Sequence, residues 1–347
     1  MQIRRWNMGR RDGDEGTGGD SDRKIFPGDC IYRMMGKPRV LDLFCGMGGL
    51  SSGFAEVGFS VTGSDISEVA GAAYRKYTHS KFIQADLSRE IFEDEYDYVV
   101  GGPPCRPWSS VNLTNRGDAH GDYGLVKKFA DNVLTIRPEG FVLENVPPLQ
   151  NDPTFNSQIG RFRSQGYTVK SYIFRYSDFG AATSRRRLFV IGMREGNLQG
   201  FESAMMSQKR SPGTVRSAIG ELTDLGMGEH PDHRWPNLRT IKKYAERYDS
   251  GKFGWAVLKW DIPAPSFGNV MKTYTLHPDS DPRSGSARVV SPLEVSRIMG
   301  FDHGFSFPDG TGMARKYQML ADSVSPVFSR KIASALLVAS RNPDHRK

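Results

Sequence analysis

Cys105 stands directly after Pro103 and Pro104 in the sequence Gly-Gly-Pro-Pro-Cys-Arg-Pro-Trp. A lone cysteine is most often a small buried apolar residue. Here, however, a Gly-Gly-Pro-Pro run packs poorly, and Arg106 and Trp108 do not suit a sealed core. Because prolines restrict the backbone, they would hold the next side chain in a fixed direction. The pattern therefore predicts a chemically active thiol at position 105.

Two further groups of residues could act on a substrate beside this cysteine. Glu144 follows the apolar run 141–143, and Arg185 and Arg187 precede the apolar run 188–191. A carboxylate could bond to or protonate a ring nitrogen, and arginines could hold a phosphate or a base carbonyl. A helix-capping acid and a solvated basic patch remain open alternatives for each group taken alone.

A glycine-rich turn lies in the sequence Phe-Cys-Gly-Met-Gly-Gly at 44–49. Its glycines are Gly46, Gly48 and Gly49. Glycines allow a backbone to turn tightly and to approach a ligand closely. A nicotinamide site would favour a third glycine where this chain has Ser51. The turn by itself is also compatible with no ligand at all.

Two acids follow at the ends of the next two apolar runs. Asp65 comes about twenty residues after the turn, where an acid can accept hydrogen bonds from ribose hydroxyls. Asp86 ends the following run and could receive an adenine amino group. Three such features at three successive strand ends favour a nucleoside cofactor.

The elements that must position these residues alternate along the chain. Strands are predicted at 39–44, 59–64, 81–85, 96–100, 140–143 and 188–191, and helices at 50–57, 292–299 and 326–339. This alternation predicts an α/β fold with a Rossmann-like, doubly wound, mostly parallel sheet. The ligand of such a sheet lies at the carboxyl ends of its strands.

Composition narrows the class of protein. Lys and Arg number 47 against 39 Asp and Glu, a net charge of +8, which fits a polyanionic partner such as nucleic acid. The three cysteines lack C-x-x-C spacing, so we expect no metal site and a reducing compartment. No apolar run reaches the length of a membrane span, and the N-terminus lacks the apolar region of a signal peptide. We expect a cytoplasmic protein without membrane contact.

The character of the sequence changes at a few points, which predict four regions. Residues 1–36 read as a flexible tail rich in Gly, Asp and Arg. Residues 37–194 hold the predicted strands, as a catalytic and cofactor-binding domain. Residues 195–287 are rich in Gly, Pro, His and Trp and read as a smaller irregular domain. Helical patterns return in 288–347, which would complete the catalytic domain.

Together these motifs resemble those of the cytosine-5 DNA methyltransferase family of the bacterial and archaeal type. The resemblance runs from about Arg39 to Ala339 and comprises six motifs in the family's order. They lie at 42–49, 103–109, 144–146, 185–192, 288–301 and 320–326. The chain departs from the family at five positions. Arg106 and Thr183 stand where glutamine is usual, Ala182 where proline is usual, Ala321 where glycine is usual and Asp322 where asparagine is usual.

The resemblance implies an S-adenosylmethionine-dependent enzyme that methylates carbon 5 of a flipped-out cytosine in a specific DNA sequence. Cys105 would add to carbon 6, Glu144 would act at ring N3, and Arg187, with Arg185 nearby, would hold the base O2. The implied cofactor-binding residues are Phe44, Gly46, Gly48, Gly49, Asp65, Ile66, Asp86, Leu87, Pro104, Ser323 and Val324.

The resemblance also implies partners and moving parts. Residues 195–287 would be the target-recognition domain, and the polar segment 106–124 reads as a lid that could close on DNA. The expected partner is double-stranded DNA, with a cognate restriction endonuclease as a possible system partner. We expect the enzyme to act as a monomer.

Two other functions remain open at this point. The family's tRNA-directed branch shares these motifs but has a reduced recognition region, so the roughly 90 residues between Met193 and Arg288 favour DNA. A degenerate DNA-binding relative without activity is compatible with Thr183 and Asp322, whereas the presence of Cys105 and Glu144 argues against it.

Overall fold

The structure is a computed structural model that describes residues 36–108, 120–195, 197–250, 254–285 and 287–340. Seven strands lie in these residues: β1 (Arg39–Leu43), β2 (Ser60–Asp65), β3 (Lys81–Gln84), β4 (Tyr98–Gly101), β5 (Gly140–Asn145), β6 (Thr168–Arg175) and β7 (Arg186–Met193). They form one sheet in the order β3-β2-β1-β4-β5-β7-β6. Only β7 runs antiparallel to its neighbours β5 and β6. The predicted mostly parallel, doubly wound α/β sheet is confirmed.

Four of the helices in the described residues lie between strands of the sheet, and the other seven follow β7. They are α1 (Gly49–Val57), α2 (Glu68–Thr78), α3 (Leu125–Ile136), α4 (Pro153–Ser164), α5 (Leu198–Ser207), α6 (Val215–Ile219), α7 (Thr240–Lys243), α8 (Val270–Thr273), α9 (Pro292–Met299), α10 (Met313–Asp322) and α11 (Pro326–Ser340). Short 3-10 turns lie at Pro147–Asn151, Tyr176–Asp178, Gly220–Leu222 and Ala245–Ser250.

The central strands are covered on both faces, which explains their sequences. Every residue of β4 (Tyr-Val-Val-Gly) and of β5 (Gly-Phe-Val-Leu-Glu-Asn) is buried. Nearly continuous apolar runs are typical of parallel strands with helices on both sides. Glu144 and Asn145, the polar residues of β5, lie at its carboxyl end, where the chain meets the candidate site.

The end of the described chain packs against its beginning. Helix α11 lies along α1, where the Ser329 hydroxyl donates to the carbonyl of Leu50. A Cβ on Gly53 would come within 2.3 Å of the backbone nitrogen of Arg330, so only glycine allows this approach of the two helices. The end of the described chain thus lies against the helix that follows β1. That residues 288–347 complete a catalytic domain stays a prediction.

The segment from 195 to 287 contains short helices and isolated bridges in place of long regular elements. Its apolar side chains, among them Val215, Ile241 and Leu276, share a core with Val290 and Leu320. The described residues from Pro38 onward form one structural unit. The division into a catalytic and a recognition domain therefore stays a prediction. The predicted tail lies outside the described residues up to residue 35.

Among the described strands, β6 is the one that the sequence did not predict. Its residues alternate between exposed and less exposed positions, and only Val169 is fully buried. It lies at the edge of the sheet and pairs with β7 alone. An edge strand with five exposed residues lacks the apolar run that reveals the interior strands.

Candidate active site

One cavity of about 760 Å³ opens at the carboxyl ends of the parallel strands. Fourteen of the predicted site residues line it: Phe44, Gly46, Gly49, Asp65, Ile66, Asp86, Leu87, Pro104, Cys105, Glu144, Arg185, Arg187, Ser323 and Val324. Gly48 is the exception. Its Cα faces Thr78 and Tyr74, and a Cβ there would come within 2.5 Å of Thr78 Cγ2. Gly48 is therefore required for helix packing and does not itself line the cavity.

The glycine-rich turn after β1 adopts an unusual backbone. Phe44, Gly46 and Gly48 all have positive φ, at 58°, 52° and 92°. A positive φ at the bulky Phe44 costs free energy and is typical of functional sites. The turn is fixed to β2 because the Cys45 amide donates to the Ser64 carbonyl at 3.0 Å. The sheet thus holds the open side of the turn toward the cavity.

Gly49 explains why this turn and the C-terminal motif belong to one site. A Cβ at Gly49 would lie 2.0 Å from Ser323 Oγ and 2.3 Å from the Val324 carbonyl oxygen. No side chain can occupy that space without displacing the backbone of Val324. The predicted cofactor residues at 44–49 and 323–324 therefore meet in the folded chain.

Asp65 ends β2 with its carboxylate toward the turn. Its Oδ2 accepts from the Gly46 amide at 3.0 Å, and its Oδ1 accepts from the Ser67 amide at 2.9 Å. Burial raises its pKa, which these amide bonds partly offset. Next to it, Ile66 is 62% exposed in the cavity wall. An acid with unused lone pairs beside an uncovered apolar side chain suits a nucleoside.

The carboxylate of Asp86 already has protein partners, which the sequence did not suggest. Its Oδ1 accepts from the amide and the hydroxyl of Ser88 at 3.0 and 2.6 Å, and Arg89 lies 3.5 Å from Oδ2. The Ser88 hydrogen bonds lower its pKa. Oδ1 holds the following turn, so only Oδ2 could serve an amino group of a ligand.

Asp42 is a cavity residue whose role the sequence did not indicate, although it lies in the first motif. It is 1% exposed on β1, and Ser51 donates to its Oδ2 at 2.6 Å. The Tyr74 hydroxyl donates in turn to Ser51 at 2.9 Å. Oδ1 has no protein partner, and burial raises the pKa of Asp42 to about 7. Asp42 is thus a buried acid below the glycine-rich turn, and its Oδ1 is available to a ligand.

Cys105 lies in a backbone that is tied on both sides. The Asn145 side chain donates to the Pro103 carbonyl at 2.9 Å, and the Trp108 amide donates to the Cys105 carbonyl at 3.0 Å. The interpretation of Trp108 as unsuited to a core is wrong. Its ring is 9% exposed, and its indole N–H donates to Asp152 at 2.8 Å. Trp108 thus anchors the loop that carries the thiol.

The charges around Cys105 oppose one another. Burial raises the pKa of the thiol, Arg187 and Arg185 lower it, and Glu144 and Asp322 raise it further. A thiolate is the nucleophilic form of cysteine. The site therefore holds a thiol whose ionisation depends on the neighbouring charges.

Glu144 and Arg187 form a buried ion pair in the cavity. Arg187 Nε lies 3.0 Å from Glu144 Oε1, and the two side chains are 13% and 10% exposed. A Cβ at Gly102 would come within 2.9 Å of Glu144 Oε2, so the glycine leaves room for this carboxylate. Burial raises the pKa of Glu144, while Arg187 and Arg185 lower it. A carboxyl with a raised pKa can donate a proton near neutral pH.

Arg185 is 4% exposed, and its Nε has no hydrogen-bond partner in the protein. Burial and the positive charge of Arg187 lower its pKa to about 10. The hydroxyl of Tyr176, a residue that the sequence did not suggest, is also buried without a hydrogen-bond partner. Glu144 raises the pKa of Tyr176 further, after burial. Arg185 lines the cavity, so its guanidinium is poised for a ligand with an acceptor atom.

The arrangement has the form of a nucleoside pocket joined to a thiol, an acid and two arginines. Residues 38–337 match the sequence profile of the C-5 cytosine-specific DNA methylases. The chain belongs to the C-5 cytosine-specific DNA methylase family. It is a DNA (cytosine-5)-methyltransferase, as the resemblance implied.

Curated relatives of this methylase cover most of both chains. The type II methyltransferase M1.HphI of Haemophilus parahaemolyticus is 30% identical over 332 residues, which is 87% of each chain. The type II methyltransferase M.FnuDI of Fusobacterium nucleatum is 26% identical over 315 residues, 82% of this chain and 90% of the relative.

Solved structures support the fold of the methylase. A putative DNA modification methyltransferase encoded within an E. coli prophage matches with a TM-score of 0.67 at 22% identity, covering 88% of this chain and all of that one. The S. pombe Dnmt2 methyltransferase matches with a TM-score of 0.66 at 17% identity, covering 87% and 98%. At these identities the likeness concerns the fold alone.

Within its described residues the methylase has no candidate metal site and no candidate membrane span. No group of three or more His, Cys, Asp or Glu side chains there could hold a metal ion. Neither does any helix in these residues combine the length and the apolar character needed to cross a membrane.

Proposed function

We propose that this methylase uses Cys105 to methylate carbon 5 of a cytosine turned out of double-stranded DNA at a specific sequence. The observation that carries the proposal is the shared cavity. Cys105, Glu144 and Arg187 line one part of it, and Gly49 and Asp65 line another. A reacting base and a methyl donor could therefore meet without leaving a common enclosure.

S-adenosylmethionine fits the cofactor side of this cavity. Asp65 would accept hydrogen bonds from the ribose hydroxyls, and the exposed Ile66 would cover the adenine with Leu87. The free Oδ1 of Asp42 and the Oδ2 of Asp86 would accept from amino groups. The remaining proposed contacts are Phe44, Gly46, Gly49, Pro104, Ser323 and Val324. When bound, the cofactor supplies a methyl group on a positively charged sulfonium.

Cytosine carbon 5 is a poor nucleophile because the ring is aromatic. Addition of the Cys105 sulfur to carbon 6 would break the aromaticity and place electron density on carbon 5. Glu144 would donate to N3, where negative charge develops during this addition. Burial raises the pKa of Glu144, which favours the protonated form that this donation requires. After methylation the carbon 5 proton leaves, and the bond from sulfur to carbon 6 breaks.

Arg185 and Arg187 would hold the cytosine O2. Arg187 already contacts Glu144, so a base bound to both residues would be fixed at O2 and N3 together. Arg185 keeps an unpaired Nε in a buried position, and a base carbonyl would give it an acceptor. The rejection of other bases would follow from these two polar edges.

The DNA side of the proposal rests on sequence and charge. Extrusion of a base costs a few kcal/mol, which contacts to the DNA backbone must offset. A net charge of +8 supports such contacts and predicts salt-sensitive binding. We assign recognition to residues 195–287 and lid closure to 106–124, of which 109–119 lie outside the described residues. We further propose that the enzyme is monomeric and cytoplasmic and that a cognate restriction endonuclease is its system partner.

Bisulfite sequencing tests this function directly. The full chain is expressed in a methylation-free bacterial host, and genomic DNA is compared with that from a host carrying Cys105→Ala. We expect a recurring motif with a protected cytosine only for the wild type. Folded wild-type protein without protected DNA would contradict the proposal, and methylation by Cys105→Ala would contradict the mechanism. Cys45→Ala is the matched control, because Cys45 is the other cysteine in the cavity.

A further inference from the structure

The carboxylate of Asp152 has more partners than helix capping requires. Asp152 is the N-cap of α4, and its Oδ1 accepts from the amides of Thr154 and Phe155 at 2.8 and 3.2 Å. Its Oδ2 accepts from the indole N–H of Trp108 at 2.8 Å. The Tyr123 hydroxyl lies 3.0 and 3.1 Å from the two oxygens. One side-chain oxygen is enough for a cap, so the contacts to Trp108 and Tyr123 call for another explanation.

Trp108 and Tyr123 come from the two ends of the polar segment that follows Cys105. The centroids of their rings lie 5.5 Å apart, and the ring planes are tilted by 35°. The Tyr123 hydroxyl also lies 2.9 Å from the hydroxyl of Thr154, in the first turn of α4. The start of the segment and its return are therefore joined at one helix end, with Asp152 between them.

Two side chains after β5 hold the loop of Cys105 on both sides. Asn145 donates to the carbonyl of Pro103 at 2.9 Å, before the thiol. Asp152 accepts from Trp108, after the thiol. Only a short turn with one 3-10 helix separates the two anchors along the chain. Because the candidate acid stands next to the first anchor, the spacing between thiol and acid depends on both.

We propose that Asp152 is a positioning residue for Cys105. By accepting from Trp108 and Tyr123 together, it holds the thiol at a fixed spacing from Glu144. Asp152 and its two aromatic donors are not among the described residues that line the cavity, so they act through the place of the sulfur and not by touching the base. A misplacement of about 1 Å can cost about 100-fold in rate. The inference rests on the proposed role of Cys105.

Asp152→Ser separates the anchoring of the loop from the capping of α4. Serine is about as good an N-cap as aspartate, but its single short hydroxyl cannot also serve the indole and phenol donors. With DNA that carries the motif found by bisulfite sequencing, we expect kcat to fall by roughly tenfold to hundredfold. The KM for S-adenosylmethionine should stay within about twofold, because most of the proposed cofactor contacts lie at other strand ends.

Alkylation by iodoacetamide without DNA gives a second readout, which does not require methyl transfer. The rates at the Cys105 and Cys45 peptides of the full-length protein are followed by mass spectrometry at one pH. A loop that has lost its anchor opens more often, so Cys105 should react roughly tenfold faster in Asp152→Ser. Cys45 is 7% exposed and its amide is bonded to β2, so its rate should not change.

Two control variants match the substitution in different ways. Asn197→Ala removes the N-cap of α5, where no such loop is anchored, and should change neither kcat nor the alkylation rate of Cys105. Asp309→Asn removes an exposed acid outside the cavity lining and should likewise change nothing.

Trp108→Phe keeps an aromatic ring and removes the indole donor, while Asp152 and the cap remain. It should reproduce part of both effects. In combination with Asp152→Ser it should add little, because both substitutions remove the same hydrogen bond. If Asp152→Ser does not fold, Trp108→Phe combined with Tyr123→Phe repeats the test with the cap intact.

A folded Asp152→Ser with the kcat and the alkylation rate of the wild type would overturn the proposal. Equal acceleration at Cys45 and Cys105 would also overturn it, since the whole protein and not one loop would then have loosened. Full additivity of Asp152→Ser and Trp108→Phe would do the same. If the wild type methylates no DNA, the proposed function fails, while the alkylation rates still decide whether Asp152 positions Cys105.

Discussion

Glu144 and Arg187 form an ion pair of 3.0 Å from which solvent is nearly excluded, with about a tenth of each side chain exposed. The pair joins the carboxyl end of β5 to the start of β7. Removing one partner of such a pair leaves an uncompensated charge, which costs about 3 to 5 kcal/mol. The two residues proposed to bind the base are therefore also part of the stability of the site.

Arg187→Ala should lower both stability and activity. We expect the free energy of unfolding to fall by about 3 kcal/mol in urea denaturation. Methylation of DNA should fall by at least about 100-fold, because Glu144 and the base both lose a partner. Adding Glu144→Gln to this variant removes the stranded charge, so stability should partly recover while activity stays lost. Recovery of activity in the double variant would argue against the proposed roles.

Gly49→Ala should damage the cofactor side. The new methyl group would lie 2.0 Å from Ser323 Oγ and 2.3 Å from the Val324 carbonyl, so the turn or the C-terminal motif must move. Overpacking of this kind costs about 1 to 3 kcal/mol. Gly160→Ala is the matched control, because Gly160 lies within α4 and a Cβ there meets nothing within 4 Å. It should be stabilising by about 0.5 to 1 kcal/mol.

The interior of the sheet could be predicted from sequence because burial on both faces requires apolar runs. Strands β1, β4 and β5 could be predicted from such runs. Helix α1 could be predicted because a glycine-rich turn precedes it. Strand β6 did not, since only Val169 is buried and the surrounding residues alternate weakly. Edge position, which decides that pattern, is set by the final strand order and not by local sequence.

The candidate catalytic groups could be predicted from their places at strand ends. Cys105 and Glu144 lie at the ends of β4 and β5, and Arg185 and Arg187 lie at the start of β7, which is antiparallel and therefore begins at the same edge of the sheet. The contacts among them could not. The approach of Ser323 to Gly49 joins residues from distant parts of the chain and appears only in the folded backbone. The hydrogen-bonded series from Tyr74 through Ser51 to Asp42 is likewise hidden, since each residue alone suits a buried structural role.

Asp65→Asn should weaken cofactor binding. Both oxygens of Asp65 accept backbone amides, from Gly46 and Ser67. An asparagine replaces one acceptor by a donor, so one amide loses its partner and the turn loosens. We expect affinity for S-adenosylhomocysteine, measured by calorimetry, to fall by roughly tenfold or more. Asp309→Asn should bind as the wild type does. Unchanged affinity in Asp65→Asn would remove Asp65 from the proposed cofactor site.

Asp42 should make stability depend on pH between about 4 and 7. Burial raises its pKa to about 7 in the folded chain, from an ordinary value of 3.8. In this interval the folded state holds a proton that the unfolded state has released. The stability from this group is therefore complete below the unfolded pKa and is lost as the pH rises through the folded pKa.

Asp42→Asn removes this titration and so isolates it. Unfolding free energies of the wild type and the variant are compared at pH 5 and at pH 8 by urea denaturation without cofactor. Relative to the variant, the wild type should lose roughly 2 to 3 kcal/mol between these values. Asp309→Asn, at an exposed site, should have the same unfolding free energy as the wild type at pH 5 and at pH 8. A constant difference between wild type and Asp42→Asn would mean that Asp42 is ionised at pH 5, and the free Oδ1 would then need a donor that the protein does not supply.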